Sequence, residues 1–229
     1  MRGLFVTATD TGVGKTILSA ALLAAMAAAG EEVRAHKPVV TGLEEPPGEW
    51  PPDHGLLAAA AGMAPEDVAP LRYGPAVSPH LAAQLAGEQI DPADLVARAQ
   101  KAADEETSLI IEGVGGLLVP LTDDYTVCDL AAELGLPVLI AARPGLGTIN
   151  HTLLTLRAAR ATGLEVRAVV LTPWPADPSA LELSNRETIA RMGEIEVEGL
   201  SRVRSLDAAD LALAGTQLPW RRWLGRASA

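Results

Sequence analysis

The sequence predicts an α/β protein in three layers, α/β/α, with a mainly parallel central sheet. Two observations carry that prediction. Short apolar runs alternate with helical stretches along the chain, the pattern left by parallel strands joined through crossover helices. Near the N-terminus, Thr11-Gly12-Val13-Gly14-Lys15-Thr16-Ile17 lies between the apolar run Leu4-Phe5-Val6 and the Ala/Leu-rich stretch from Leu18 to Ala29. Strand, glycine loop, Lys-Thr and helix in that order make a seat for nucleotide phosphates. The fold expected is therefore that of the P-loop NTPases, with residues 1–229 forming a single domain.

Taken in order, strands fall near 3–7, 33–39, 108–112, 137–142, 166–171 and 195–200. Helices fall near 15–29, 53–61, 78–87, 92–104, 126–134, 148–161, 178–192 and 207–213. The first helix closes at Gly30 and the one at 148–161 at Gly163, both suited to a left-handed helix end. The helix at 92–104 opens with Asp91 as N-cap and Pro92 at its first position. Eight prolines between Thr41 and Pro79 preclude continuous regular structure, so that segment reads as loop and short helix over the sheet edge.

In the glycine loop, backbone N–H groups face the anion, Lys15 adds a point charge, and the Thr16 hydroxyl can ligand a phosphate-bound Mg2+. The strict pattern asks for glycine at position 9, where this chain has Thr9. The flanking strand and helix supply the context that the missing glycine does not.

Composition narrows the partners. With 29 acidic and 18 basic residues the net charge is −11, which argues against a nucleic-acid or anionic-membrane surface and for a small ligand. The one cysteine, Cys128, excludes an internal disulfide and reads as a small buried apolar residue. Met1-Arg2 leads straight into a strand, and the Leu18–Ala29 stretch is too short to span a bilayer, so a cytoplasmic protein is expected. Lysine occurs only at 15, 37 and 101, and two of the three fall in candidate site segments.

In open parallel sheets the loops after the strands form the ligand crevice. The run His36-Lys37-Pro38-Val39-Val40-Thr41-Gly42 places Lys37 among apolar residues, where it either faces an anion or snorkels to water. Glu112, at the end of Leu109-Ile110-Ile111, is placed as the acidic element that holds Mg2+ in nucleotide hydrolases, or else as a solvated turn residue. The glycines at 113, 115 and 116 that follow let backbone approach a ligand closely. Asp53 could be a third Mg2+ ligand or, more simply, a helix N-cap. Beyond strand 137–142, Arg143-Pro144-Gly145-Leu146-Gly147-Thr148-Ile149-Asn150-His151 forms a second anion-friendly helix start. His151 is assigned a structural or capping role.

Together these segments resemble the dethiobiotin synthetases, ATP-dependent carboxylases that close the ureido ring in biotin synthesis. The resemblance runs in order through Val6–Thr16, His36–Gly42, Ser78-Pro79-His80, Ile111–Leu117 with Pro120-Leu121, and Leu146–His151. It implies that Lys15 holds the β- and γ-phosphates of ATP or another nucleoside triphosphate, and that Lys37 bridges the γ-phosphate and a carbamate. The carbamate forms from CO2 or bicarbonate and 7,8-diaminopelargonic acid. By the same resemblance Thr16, Asp53 and Glu112 hold Mg2+. Gly12, Val13, Gly14, Ile17, Gly113, Val114, Gly115, Thr172 and Pro173 contact the nucleotide. Thr11, Thr41, Gly115 and Gly116 line the diamine site. Gly147, Thr148, Ile149 and Asn150 would meet the substrate's acid tail across the interface of a homodimer.

The chain departs from the family pattern in several places. Ala8 stands where glycine is usual, and Thr41 where serine is usual. After strand 166–171 an asparagine normally reads adenine, whereas this chain has Thr172-Pro173-Trp174. The Gly-x-Ile-Pro segment near the base appears only as Glu198-Gly199-Leu200-Ser201-Arg202. A threonine cannot form the two-point contact of an amide, so weaker discrimination among ATP, CTP and GTP is expected. Two rival readings are an amide synthase of cobalamin synthesis and an ATPase switch of the partitioning or metal-delivery class. The first carries a glutamine-hydrolysing domain with a nucleophilic cysteine. The second generally has an extra lysine early in the loop, where this chain has Ala8-Thr9-Asp10.

Overall fold

The computed structural model describes residues 1–46, 50–103 and 107–225. In chain order the elements are β1 (Gly3–Ala8), α1 (Lys15–Ala28), β2 (Val33–His36), β3 (Val39–Val40), α2 (Asp53–Ala61), α3 (Pro65–Val68), β4 (Leu71–Arg72), α4 (Pro79–Ala86) and α5 (Pro92–Ala102). They continue with β5 (Ser108–Glu112), α6 (Val127–Leu134), β6 (Val138–Ala142), α7 (Thr148–Ala161), β7 (Val166–Trp174), α8 (Ala180–Gly193), β8 (Glu196–Ser201), α9 (Ala208–Gly215) and α10 (Trp220–Leu224). The main sheet has the order β2-β5-β1-β6-β7-β8, and each neighbouring pair is parallel. The three-layer α/β/α expectation is met.

The layers follow from the period of the strands. In β1, Leu4, Val6 and Ala8 join one apolar core while Phe5 joins the other, because successive side chains point to opposite faces. The first core packs on α1, which is apolar nearly all round because it is enclosed by the sheet on one side and by α2 and α9 on others. The α9 contact is close: a Cβ at Gly215 would stand 2.0 Å from the Ala21 carbonyl oxygen. The second core gathers α4 to α8 on the opposite face. Cys128 lies in this core, its Sγ 3.2 Å from Thr162 Oγ1.

Helix ends match their local chemistry. Asp91 accepts from the Ala93 N–H at 2.9 Å, and α5 ends at Ala102; residue 104 of the expected 92–104 helix lies outside the described residues. Thr126 with Asp129, and Ser179 with Glu182, form reciprocal capping boxes at α6 and α8.

Four features differ from the expectation. The strand placed at 33–39 is two strands. Pro38 has no N–H to give to a ladder, and the Lys37 N–H goes to Val68 O at 2.8 Å, so β2 ends at His36. The chain then turns away, and β3 pairs in parallel with β4, a strand absent from the sequence reading. Asp53 is not the cap of α2; Pro52 occupies that position and Asp53 opens the helix. Strand β7 runs past 171 to Trp174, so Thr172 and Pro173 lie within it. The tail forms α10, with Trp220 and Trp223 buried against the first core. No helix among the described residues is long and apolar enough to cross a membrane.

Candidate active site

The ends of β1, β2 and β5 converge with the start of α2, and four charged side chains meet there. Glu112, the last residue of β5, is fully buried. Its Oε1 accepts from Thr16 Oγ1 at 3.0 Å and from Lys37 Nζ at 2.5 Å. Lys37 Nζ also lies 2.8 Å from Asp53 Oδ2. The break after β2 is what frees Lys37 to turn inward: it is 2% exposed, whereas the Asp53 side chain is half exposed toward the cleft. Lys37 thus neither snorkels to water nor stands alone.

Electrostatics separate the two lysines. Burial alone would lower the Lys37 pKa, but the charges of Glu112 and Asp53 and the hydrogen bonds to them outweigh burial and hold it above lysine's ordinary value. Burial likewise opposes ionisation of Asp53, yet the Lys37 charge and hydrogen bonds from Lys37 and Thr16 bring its pKa below the usual carboxylate value. Lys15 has no comparable partner. Its Nζ donates to Asp10 O at 3.3 Å, and burial, with repulsion from Lys37, lowers its pKa to about 8 against the pull of Glu112, Asp53 and Asp10.

In the glycine loop the Thr11 N–H donates to Asp10 Oδ1 at 2.7 Å, and the donors at the start of α1 are left without a side-chain cap. Gly12 and Gly14 have φ of 68° and 104°, a region open to glycine and costly to other residues. Gly14 is the N-cap of α1, and no side chain caps that helix. Arg143, from the end of β6, donates to Gly12 O at 2.9 Å and ties the loop to the next strand.

A cleft of about 760 Å3 opens over these groups, lined by Thr11, Gly12, Gly14, Lys15, Thr16, Ile17, Lys37, Thr41, Asp53, Val114 and Gly115. A smaller cavity of about 200 Å3 adjoins it, where Val13, Thr172 and Pro173 meet Arg143, Ser201, Arg202 and Val203. A Cβ at Gly14 would stand 2.7 Å from Thr172 Cγ2, so β7 packs directly on the phosphate loop.

The remaining sequence candidates lie elsewhere. Gly113 packs on Phe5 and Val127 rather than on the cleft, and a Cβ at Gly116 would face the carbonyl oxygens of Ala8 and Thr9. Gly147, Thr148, Ile149 and Asn150 open α7 outside both cavities. The loop before them is fixed by Asn185, which donates to Pro144 O at 2.9 Å and Gly145 O at 3.1 Å. Trp50, Arg143 and Val203 were given no role by the sequence; for Arg143 its place directly after a strand was the available signal.

The cluster suits a hard divalent cation. Glu112 Oε2 is buried with no hydrogen-bond partner, and Thr16, Asp53 and Glu112 all present oxygen, the donor Mg2+ prefers. Among the described residues no cluster of three or more His, Cys, Asp or Glu could hold a metal by itself. A cation here would draw its other ligands from phosphate and water, as Mg2+ commonly does.

An uncapped glycine loop at the start of α1, a buried strand-end acid and a parallel sheet of this order define an α/β P-loop NTPase. A family model described as an AAA domain matches residues 2–207. Among solved structures, the MinC:MinD cell division protein complex of Aquifex aeolicus matches with a TM-score of 0.53 at 14% identity, over 98% of this chain and 93% of that one; at that identity it shows the fold alone. Sequence relatives go further. An ATP-dependent dethiobiotin synthetase BioD of Anaeromyxobacter dehalogenans is 45% identical over 194 residues, 84% of this chain and 86% of that protein. Proteins of the same name from a Mycobacterium species (strain KMS) and from Bacillus velezensis are 40% identical over 92% of both chains and 35% identical over 88% and 86%. The chain belongs to the dethiobiotin synthetase family.

Proposed function

We propose that the chain is an ATP-dependent dethiobiotin synthetase, with residues 1–229 acting as one domain in the cytoplasm. The observation that carries the reading is the Lys37–Glu112–Asp53–Thr16 cluster beside the phosphate loop. The reaction brings two anions together, which is why it needs buried cations more than it needs a nucleophile.

One amine of 7,8-diaminopelargonic acid attacks CO2 and loses a proton to solvent, giving a carbamate. A carbamate oxygen attacks the γ-phosphorus of the nucleotide, ADP departs, and a carbamic-phosphoric anhydride remains. The neighbouring amine then attacks the carbonyl carbon, loses a proton and expels phosphate, which closes the cyclic urea. Lys37 stays protonated throughout, because its pKa is held above the ordinary lysine value, and it neutralises carbamate and γ-phosphate as they approach. Lys15 leaves the Asp10 carbonyl for the β- and γ-phosphates. Thr16, Asp53 and Glu112 would hold Mg2+, which when bound neutralises phosphate charge. Thr11, Thr41 and Gly115 line the diamine end of the cleft.

We further propose a homodimer in which the start of α7 closes the diamine end of the partner's cleft. Leu146, just before that helix, is 92% exposed, an apolar side chain with no cover within one chain. The reading is tested by supplying diaminopelargonate, bicarbonate, Mg2+ and a nucleotide, and following phosphate and dethiobiotin together. Equal release of both, dependent on the diamine, is expected. Phosphate release that ignores the diamine overturns the reading, and sedimentation of the free chain as a monomer overturns the dimer.

A further inference from the structure

The nucleoside end of the cleft offers few free polar groups besides Arg202, since Ser201 Oγ donates to Gln217 Oε1 at 3.0 Å. Thr172 offers one hydroxyl and is pressed against Gly14, and Arg143 is engaged by the Gly12 carbonyl. Pro173, Val203 and Ile17 add apolar wall. One aromatic ring lines this cavity among the described residues, that of Trp50, and the same ring lines the triphosphate cleft. It is half exposed, in a proline-rich loop, where no packing against the core explains so large an apolar side chain.

We infer that Trp50 is the residue that holds the nucleoside, by stacking its indole on the base or lying over the ribose, and that binding is therefore tolerant of the base. A ring face is common to every base, so contact with it adds affinity without reading hydrogen-bond edges. The position fits: Trp50 sits where the two cavities join, so a triphosphate seated on Lys15 and Thr16 directs its nucleoside past this ring toward Thr172 and Pro173. The inference rests on the cleft being a nucleotide site and adds the means by which the nucleoside is held.

The test uses the whole chain with ATP, CTP, GTP and inorganic tripolyphosphate as probes. Trp50→Ala is expected to raise the Kd of all three nucleotides alike, by about tenfold, the scale of losing one base–aromatic stack. Tripolyphosphate affinity stays unchanged, and Trp50→Phe recovers most of the loss for the nucleotides. Trp220 and Trp223 are buried and Trp174 is covered by Arg186, whose guanidinium carbon lies 5.5 Å from the ring. Nucleotides should therefore alter fluorescence that is missing from Trp50→Ala, while tripolyphosphate leaves it unaltered. Nucleotide affinities unaffected by Trp50→Ala, or lost for one base only, overturn the inference. Wild-type protein that binds neither nucleotide nor tripolyphosphate overturns the proposed function as well.

Discussion

The two ends of the cleft are built from different materials. At the triphosphate end, side chains from α1, the β2–β3 junction, α2 and β5 meet within hydrogen-bond reach, and Glu112 and Lys37 are buried. At the nucleoside end the wall is largely apolar or glycine around one half-exposed indole, and of its polar groups Arg143 and Ser201 are bonded to Gly12 O and Gln217 Oε1, which leaves the Thr172 hydroxyl and Arg202. The first arrangement can tolerate little substitution, because each charge is the partner that makes its neighbour's burial affordable. The second can tolerate more, since no buried charge there depends on a partner. Selectivity should accordingly be concentrated on the reacting phosphate and be weak for the base.

Lys37→Ala should break the comparison most visibly at its strong end. Loss of a buried, preorganised cation predicts a fall in turnover of about 10²–10³-fold, with nucleotide binding largely retained through Lys15 and the loop. Removing Lys37 also strands Glu112, and breaking a buried pair commonly costs about 3–5 kcal/mol. Misfolding is separated from lost catalysis by Lys37→Met combined with Glu112→Gln, which removes both charges. That pair should recover thermal stability and remain inactive; recovered turnover would take Lys37 out of the mechanism.

The same contrast governs what could be read from the chain alone. Strand period, glycine helix ends and the Asp91 cap follow from local rules, so the layers and most elements were legible. Lys15, Thr16, Lys37 and Glu112 were legible as candidates because charged residues at the ends of apolar runs have few other places to go. That Lys37 joins Glu112 to Asp53 was not, since the pairing depends on β2 ending at His36 and on α2 crossing above it. Asp53 looked locally like a cap, and nothing in its neighbours distinguishes the cap position from the first helical turn. Trp50 was invisible for a different reason: a loop has no period, so a side chain there is placed by tertiary contact only.

Glu112→Gln comes next in size. Metal affinity falls roughly 10–100-fold on loss even of groups that only support a ligand, so the Mg2+ concentration for half-maximal turnover should rise by at least that much. Asp53→Asn, whose side chain is half exposed, should shift it less. Equal shifts for the two would mean that burial does not grade the cation's ligands. Isothermal titration of Mg2+–nucleotide into each variant measures the same order without turnover.

The pH dependence of nucleotide binding tests Lys15 specifically. Its pKa in the free chain is about 8, and bound phosphate must raise it, because an adjacent anion favours the charged form. Binding above pH 8 therefore takes up a proton, and Kd should rise by up to about tenfold per pH unit from there. Below pH 8 Lys15 is already charged and the dependence should flatten. Calorimetry in buffers of different ionisation enthalpy detects the proton directly; no uptake at pH 9 would show that Lys15 is charged in the free chain.

The smallest effect expected is at Thr172, where the nucleoside end can be sharpened toward ATP. An asparagine presents a donor and an acceptor together, matching adenine's edge, and a good two-point contact discriminates by about 1–3 kcal/mol. Thr172→Asn should thus raise the ATP-over-CTP ratio of kcat/KM by about tenfold. The position is tight, with Thr172 Cγ2 against Gly14, so the longer side chain could also press on the phosphate loop. That cost falls on every nucleotide equally and cancels in the ratio, which is why the ratio and not the ATP rate is the quantity to measure. An unchanged ratio would place base discrimination on the Ser201–Val203 wall instead, and a large ATP preference already present in the unaltered chain would remove the tolerance that distinguishes this end of the cleft from the other.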